Sequence, residues 1–297
     1  MILVTGATGA LGSATIDELL KHRSPSEVAG LVRQHSKAQA LIARGVTVRI
    51  GSYEDTVALE RALENVEKVM LVSAPDPNGR IHQHRNVLQA AKKAGIRHFV
   101  YTGFANGDVK RSAIRPFLED LIDFEDEIRA SGLPYTILRN SLYADGIPFF
   151  AGPNVLESGI RLPAGNGRVA FALRAEMGEA AARVMLSDAH YGKTYTLTGS
   201  QLYAYQDVSA ILSRLTGKLI TYVATDPDAF SADPGRPDLP ELLRYIVGGF
   251  AADIAAGLYE TVTGDLATLL GREPASLDEA LLLLYGNLPQ IIAENGQ

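Results

Sequence analysis

Ile2-Leu3-Val4-Thr5-Gly6-Ala7-Thr8-Gly9-Ala10-Leu11-Gly12 opens the chain, and its reading decides the fold. An apolar run ends in glycines at 6, 9 and 12, and Ser13 to Lys21 continues in a helix-like pattern. The order is strand, tight turn, helix. Such a turn asks for backbone angles that a Cβ resists, and a bulky side chain would hold the backbone away from a ligand. The free N–H groups at the following helix start, with the positive end of its dipole, suit a pyrophosphate. The motif also stands where the first strand of a dinucleotide-binding fold belongs. Its spacing is Gly-x-x-Gly-x-x-Gly, not the Gly-x-Gly-x-x-Gly of many dehydrogenases, and with no Lys after the glycines it is not a P-loop. An ordinary Gly-rich turn between strand and helix is the alternative reading.

The 297 residues are 46% hydrophobic and 21% charged, an ordinary globular composition that suits one large or two unequal domains. The net charge is −6 and Lys and Arg form no long run, so no nucleic-acid partner is expected. The absence of cysteine excludes disulfides, thiolate nucleophiles and Cys-ligated zinc. The most apolar long segment, Tyr245 to Tyr259, is broken by Asp253, and no segment reaches transmembrane length. The expectation is a cytoplasmic protein without membrane contact, monomeric or homodimeric.

Working outward from the opening motif, short apolar runs alternate with helical patterns. Strands are expected at Val28 to Val32, Val46 to Ile50, Lys68 to Val72, His98 to Thr102 and Pro134 to Arg139. Helices are expected at Ser36 to Arg44, Thr56 to Asn65, Arg80 to Ala94 and Phe117 to Ser131. Continuous apolar strands separated by helices predict a parallel sheet covered on both faces, a doubly wound α/β Rossmann fold. After about residue 145 the rhythm changes. Glu176 to Leu186 reads as helix, Thr194 to Thr198 as a strand, Tyr205 to Leu215 as helix and Leu219 to Val223 as a short strand. A loop carrying Pro227, Pro234, Pro237 and Pro240 follows, then a helical tail with Ser276 as N-cap and Glu279 three residues on. The expected division is an NADP-binding Rossmann domain over residues 1–145 and a smaller α/β substrate domain over 146–297. Within the latter, about 176–200 is a candidate to return to the sheet.

An NAD-binding Rossmann domain usually ends its second strand with an acidic residue about 20 residues past the glycines. Here Arg33 stands there, and Lys37 lies one helical turn further. Two cations without a carboxylate point to a 2′-phosphate, hence NADP(H), with solvated surface charge as the alternative. Ser73 and Ala74 at the end of the fourth strand, with Thr102 and Gly103 at the end of the fifth, are expected to flank the ribose and nicotinamide. Small residues of this kind are also common in turns.

Taken together, Thr5-Gly6-Ala7-Thr8-Gly9 with Leu11-Gly12, Val32-Arg33 with Lys37-Ala38, Gln83-His84-Arg85-Asn86 and Tyr101-Thr102 make a set. Leu138-Arg139-Asn140 with Tyr143, and Leu269-Leu270-Gly271-Arg272, complete it. The chain resembles, over nearly its whole length, the NmrA-like branch of the atypical short-chain dehydrogenase/reductases, in particular its quinone-reducing and dye-reducing members. The resemblance implies NADPH binding, with Thr8, Ala10, Leu11 and Arg33 around the phosphates and Asn140 near the nicotinamide. It also implies either hydride transfer to a quinone or dye, or redox sensing without turnover.

The chemistry is less legible. None of the eight lysines has a tyrosine four residues before it, so the Tyr-x-x-x-Lys pair of most short-chain reductases is absent and no catalytic residue is assigned. The relatives usually carry Ser after Tyr-Thr, and Lys or His in the next helix. This chain has Gly103, and an acidic run from Phe117 to Glu127 that reads as a solvated face. Ser52-Tyr53 replaces the family's frequent acidic residue after the third strand. A quinone does not strictly need a positioned acid, because water can protonate the hydroquinone oxygens. Phe104, Tyr143 and Phe149 are candidates to wall an aromatic or quinone acceptor, with core packing as the alternative. His82 and His84 point to different faces of a helix, His84 is expected at the surface or between domains, and no metal site is expected.

Overall fold

The computed structural model describes residues 1–73, 79–231 and 240–286. In the first half β1 (Ile2–Val4), α1 (Ala10–Leu19), β2 (Val28–Val32), α2 (Gln39–Ala43), β3 (Thr47–Ile50) and α3 (Thr56–Ala62) alternate. They continue as β4 (Lys68–Leu71), α4 (Arg80–Lys93), β5 (His98–Phe104), α5 (Arg115–Ala130) and β6 (Tyr135–Asn140). The second half carries α6 (Ile147–Ala151), α7 (Val155–Ser158), β7 (Ile160–Leu162), β8 (Arg168–Val169), α8 (Arg174–Leu186) and β9 (Lys193–Leu197). Then come β10 (Tyr203–Ala204), α9 (Tyr205–Thr216), β11 (Tyr222–Ala224), α10 (Pro227–Ser231), α11 (Glu241–Ala255), α12 (Asp265–Leu270) and α13 (Leu277–Tyr285).

Seven parallel strands form the main sheet in the order β3-β2-β1-β4-β5-β6-β9. The order reverses between β1 and β4, and open α/β sheets bind ligands at the carboxyl ends beside such a switch point. Period-two alternation divides the strand side chains between two cores. Leu3, Leu31, Val69, Leu71, Phe99, Tyr101 and Ile137 face α3, α4 and α5. Val4, Val28, Met70, Val100, Leu138 and Leu197 face α1, α8 and α12. Both faces are covered, which is why the strands read as near-continuous apolar runs. The fold class is thus the doubly wound one. Helix α8 seats directly on α1, where a Cβ on Gly178 would stand 2.6 Å from that of Ala14.

Residues 174–197 return to the sheet, β9 pairing in parallel with β6 and α8 joining its core. A separate apolar core unites Leu142 to Leu173 with Tyr205 to Tyr285, including α9, α11 and α13. Phe104 and Phe250 touch this core and also the α3–α5 face of the sheet. A buried carboxylate ties the two further. Asp253 on α11 accepts from the Ala113 N–H at 2.6 Å and from the Ser112 hydroxyl.

Some local expectations shift. The helix expected from Ser36 to Arg44 divides into a tighter 3₁₀ segment, His35–Ala38, and the short α2, because only Ala38 and Leu41 anchor it. The strand expected over 219–223 runs from Tyr222 to Ala224, since its parallel register with Ile160 to Leu162 sets it, and Leu219 is left exposed. In the proline-rich stretch, Pro227 begins a helix, as its fixed φ permits at a first turn, and Pro240 caps α11. Pro234 and Pro237 lie outside the described residues. Ser276 and Glu279 form the expected capping box on α13.

At the amino ends of the strands His98 is fully buried, with Nε2 2.8 Å from Thr136 Oγ1, and that hydroxyl donates to the His190 carbonyl at 2.7 Å. The Thr136 proton is thereby committed, so His98 Nε2 is the donor. Burial, with the nearby Lys68 charge, pulls His98 down to about 4. Burial among the Tyr101 and Phe124 rings, with the Arg80 charge, pulls His84 down to about 3. The unfolded chain takes up these protons first, so stability present above about pH 6.5 is lost as pH falls. Urea unfolding between pH 7 and 5 should show stability falling with a slope that approaches about 1.4 kcal/mol per pH unit below pH 6.5 for each of these two histidines, which stay neutral in the folded chain. A slope unaltered in His98→Asn would contradict this.

Candidate functional site

The glycine turn at the end of β1 is built from close backbone contacts. Gly6 adopts φ +57° and its carbonyl accepts from the Gly9 N–H at 2.9 Å. Gly9 then caps α1, where Ser13 N–H donates to the Gly9 carbonyl at 2.8 Å. A Cβ on Gly12 would fall inside the van der Waals surface of the Gly6 carbonyl, so only glycine lets the helix begin there. No side chain caps α1, which leaves first-turn N–H groups available for an anion.

Beside the turn, the ends of β1, β3 and β4 are locked together. Val72 N–H donates to Thr5 Oγ1 at 2.9 Å, and the Tyr53 hydroxyl bonds Thr5 Oγ1 and the Val72 carbonyl, the latter at 3.0 Å. Asn86 on α4 holds the Tyr53 carbonyl at 2.9 Å. Burial raises the Tyr53 phenol well above its ordinary range, so it stays a neutral donor. These bonds bound a cavity of about 520 Å³ lined by Gly6, Thr8, Gly9, Leu31, Val32, Arg33, Gly51, Ser52, Tyr53, Glu54, Val72, Ser73 and Gln83. Arg33 stands exposed at its rim and has no ion pair or hydrogen bond among the described residues. Glu54 lies in the same wall and accepts from Gln83 Nε2 at 3.1 Å.

Of the residues singled out from sequence, Gly6, Thr8, Gly9, Arg33 and Ser73 come together in this cavity. Ala10, Leu11 and Gly12 follow on the first turn of α1, with Leu11 buried in the α1 face of the core. Lys37 is exposed on the 3₁₀ segment and does not line the cavity. Ala74 lies outside the described residues. Thr102 Oγ1 accepts from the Ser73 N–H at 3.0 Å, tying the ends of β4 and β5. Asn140, at the end of β6, is buried, and its Nδ2 donates to the Tyr143 hydroxyl at 3.0 Å. Its Oδ1 is buried without a partner among the described residues. The Tyr143 ring lies under the Arg174 guanidinium, 4.2 Å from its centroid, and burial raises its phenol. Phe104 packs edge-on to Phe250 and Tyr259, at 5.7 and 5.8 Å. Phe149 is exposed on α6 against Phe150.

The acidic helix departs from the expectation of a solvated face. Glu125 is fully buried against the sheet, and its carboxylate accepts from Arg139 Nε and Nη2 at 2.9 and 2.6 Å and from Arg129 Nη2 at 2.8 Å. Cations from β6 and from α5 itself thus offset the burial cost of that carboxylate. Gly103 is the neighbour that makes room, since a Cβ there would stand 3.0 Å from Glu125 Oε1. His84 likewise departs from its expected surface place and lies fully buried, 5.6 and 5.1 Å from the Tyr101 and Phe124 rings, while His82 is exposed. Gly51 and Glu54 are cavity residues that pattern reading did not find, and Gln83 was quoted only within a family marker, without a place in the site. Their proximity comes from the alignment of β3 and α4 beside the turn. Among the described residues no group of three or more His, Asp or Glu is placed to hold a metal ion, and no helix is long and apolar enough to cross a membrane.

The model of the NmrA-like family matches residues 1–245. Quinone oxidoreductase 2 of Escherichia coli K12 is 36% identical over 289 residues, which cover 96% of this chain and 99% of that one. The crystal structure of an NADPH-dependent quinone oxidoreductase from Escherichia coli in complex with NADPH superposes with a TM-score of 0.89 at 35% identity, covering 96% of this chain and all of that one. Triphenylmethane reductase of Citrobacter sp., solved with NADP(H), superposes with a TM-score of 0.88 at 32% identity, covering 95% of this chain and 99% of that one.

The buried carboxylate yields a direct expectation. Glu125→Ala leaves two guanidinium groups without their shared partner beside the sheet. Urea unfolding should show a loss of about 3–5 kcal/mol. A loss below about 1 kcal/mol, the range of exposed ion pairs, would mean that the cluster is no more than a surface one.

Proposed function

The chain belongs to the NmrA-like family, and from that premise we propose that it is an oxidoreductase that binds NADPH and passes hydride to a quinone-like or aromatic dye acceptor. The observation that carries the cofactor reading is Arg33. It directly follows β2 beside the glycine turn, lines the same cavity and has no carboxylate partner among the described residues. In an NAD site a carboxylate at this place would hold the ribose hydroxyls, whereas a guanidinium suits a 2′-phosphate. In this reading the backbone of Gly6, Thr8, Gly9, Ala10, Leu11 and Gly12 holds the pyrophosphate, and Lys37 adds charge near the 2′-phosphate. Ser73, Thr102 and Gly103 border the nicotinamide ribose. Asn140 offers its unpartnered Oδ1 to an amide N–H.

When bound, NADPH supplies the hydride. The chain's own part is to align ring on ring and exclude other acceptors, because a quinone oxygen can take its proton from solvent. Phe104 and Tyr143 are proposed to wall the acceptor, with Phe149 at its exposed margin. Arg174 over the Tyr143 ring and Asn140 on its hydroxyl hold that ring in one orientation.

Two measurements test the reading. Steady-state reduction of a small naphthoquinone or a triphenylmethane dye by NADPH should exceed that of heat-inactivated protein. Tight NADPH binding without turnover on any acceptor would leave the sensor reading in its place. Arg33→Ala should weaken NADPH by about 10–100-fold, the worth of a charged hydrogen bond, while changing NADH by less than about threefold. Equal losses for both nucleotides would remove Arg33 from the 2′-phosphate.

A further inference from the structure

A second cavity, of about 120 Å³, opens at the carboxyl ends of β5, β6 and β9 and shares no lining residue with the dinucleotide cavity. Register places Arg139 on β6 between Gly103 and Thr196. Arg139, Ser141, Thr196 and Asn106 line the cavity, and Leu258 and Tyr259 also border it.

Its polar atoms are donors in want of an acceptor. Arg139 gives Nε and Nη2 to Glu125, and its Nη1 has no hydrogen bond among the described residues. Asn106 Oδ1 accepts from the Asp108 N–H at 2.9 Å, which leaves Nδ2 as a buried amide donor with no partner among the described residues but the adjoining Tyr259 hydroxyl. The Ser141 and Thr196 hydroxyls carry no hydrogen bond among the described residues. A buried donor left unmet costs about 1–3 kcal/mol, so the arrangement favours whatever supplies an oxygen. No Asp or Glu lines the cavity. The neighbouring carboxylates are committed elsewhere: Asp265 to the Thr196 N–H at 2.7 Å, Asp253 to Ser112, Ala113 and the Tyr259 hydroxyl, and Glu125 to its two arginines.

We propose that this cavity is a binding site for a small oxyanion, a carboxylate or inorganic phosphate, held by the free side of Arg139, Asn106 Nδ2 and the Ser141 and Thr196 hydroxyls. At about 30 Å³ for each packed water-sized group, the cavity takes about four, the size of acetate or phosphate and too few for a nucleotide.

The test uses the full chain without nucleotide, titrated by calorimetry with sodium acetate and with inorganic phosphate at ionic strength balanced by sodium chloride. Saturable binding of one or both is expected, with a rise in unfolding temperature of about 2 °C at saturation. Acetate alone marks a carboxylate site and phosphate alone a phosphate site. Asn106→Asp keeps the bond to the Asp108 N–H but exchanges the donor for a negative oxygen, and should abolish binding. Ser141→Ala removes only an uncommitted hydroxyl. It should weaken binding about tenfold with the unligated unfolding temperature unchanged. Absence of saturable binding by either anion, or binding unaltered in Ser141→Ala, overturns the proposal.

Discussion

The structure depends on how the chain leaves β1. At the switch point β2 and β4 flank β1, and a ligand binds beside them only if the chain ends beyond the strands are fixed. Thr5, Tyr53 and Val72 fix them through the Val72 N–H on Thr5 Oγ1 and the Tyr53 hydroxyl shared by Thr5 and the Val72 carbonyl. One residue further Gly6 turns the chain, and the bare Cα of Gly12 lets α1 start against the Gly6 carbonyl. The dinucleotide cavity is the space those contacts leave, and Arg33 borders it because β2 pairs with β1 in register from Val28.

A second constraint acts at the other end of the carboxyl edge. A carboxylate inside an apolar layer is costly unless paired, and Glu125 is paired twice. Its place explains Gly103, which leaves the room that Glu125 occupies, while β6 supplies Arg139 as its cation. The same salt bridge orients Arg139 so that part of its guanidinium borders the small polar cavity. Asp253 acts in a similar way between the two cores, where the second half of the chain closes over the strands.

The parallel sheet, its alternation with helices and the glycine turn were legible in the sequence because each rests on local periodicity or on a backbone angle. Arg33 was legible because register within one β-α-β unit fixes its distance from the glycines. Glu125 was not. On a helix wheel it sits in an acidic run that looks solvated, and only the docking of α5 on β5 and β6 turns it inward. His84 was misplaced for the same reason, since its neighbours Tyr101 and Phe124 come from other elements.

The sequence by itself determined the fold class, the opening turn, the cation where a carboxylate would serve NAD, and the absence of a Tyr-x-x-x-Lys pair. These are properties of neighbours along the chain, set by sterics and spacing. Only the tertiary structure decided that Tyr53 closes the switch point, that Glu125 is buried between two arginines, and that Asn106, Arg139, Ser141 and Thr196 meet in one cavity. Those contacts join elements far apart in sequence. Their energies come from desolvation and pairing across packed layers, which no local pattern encodes.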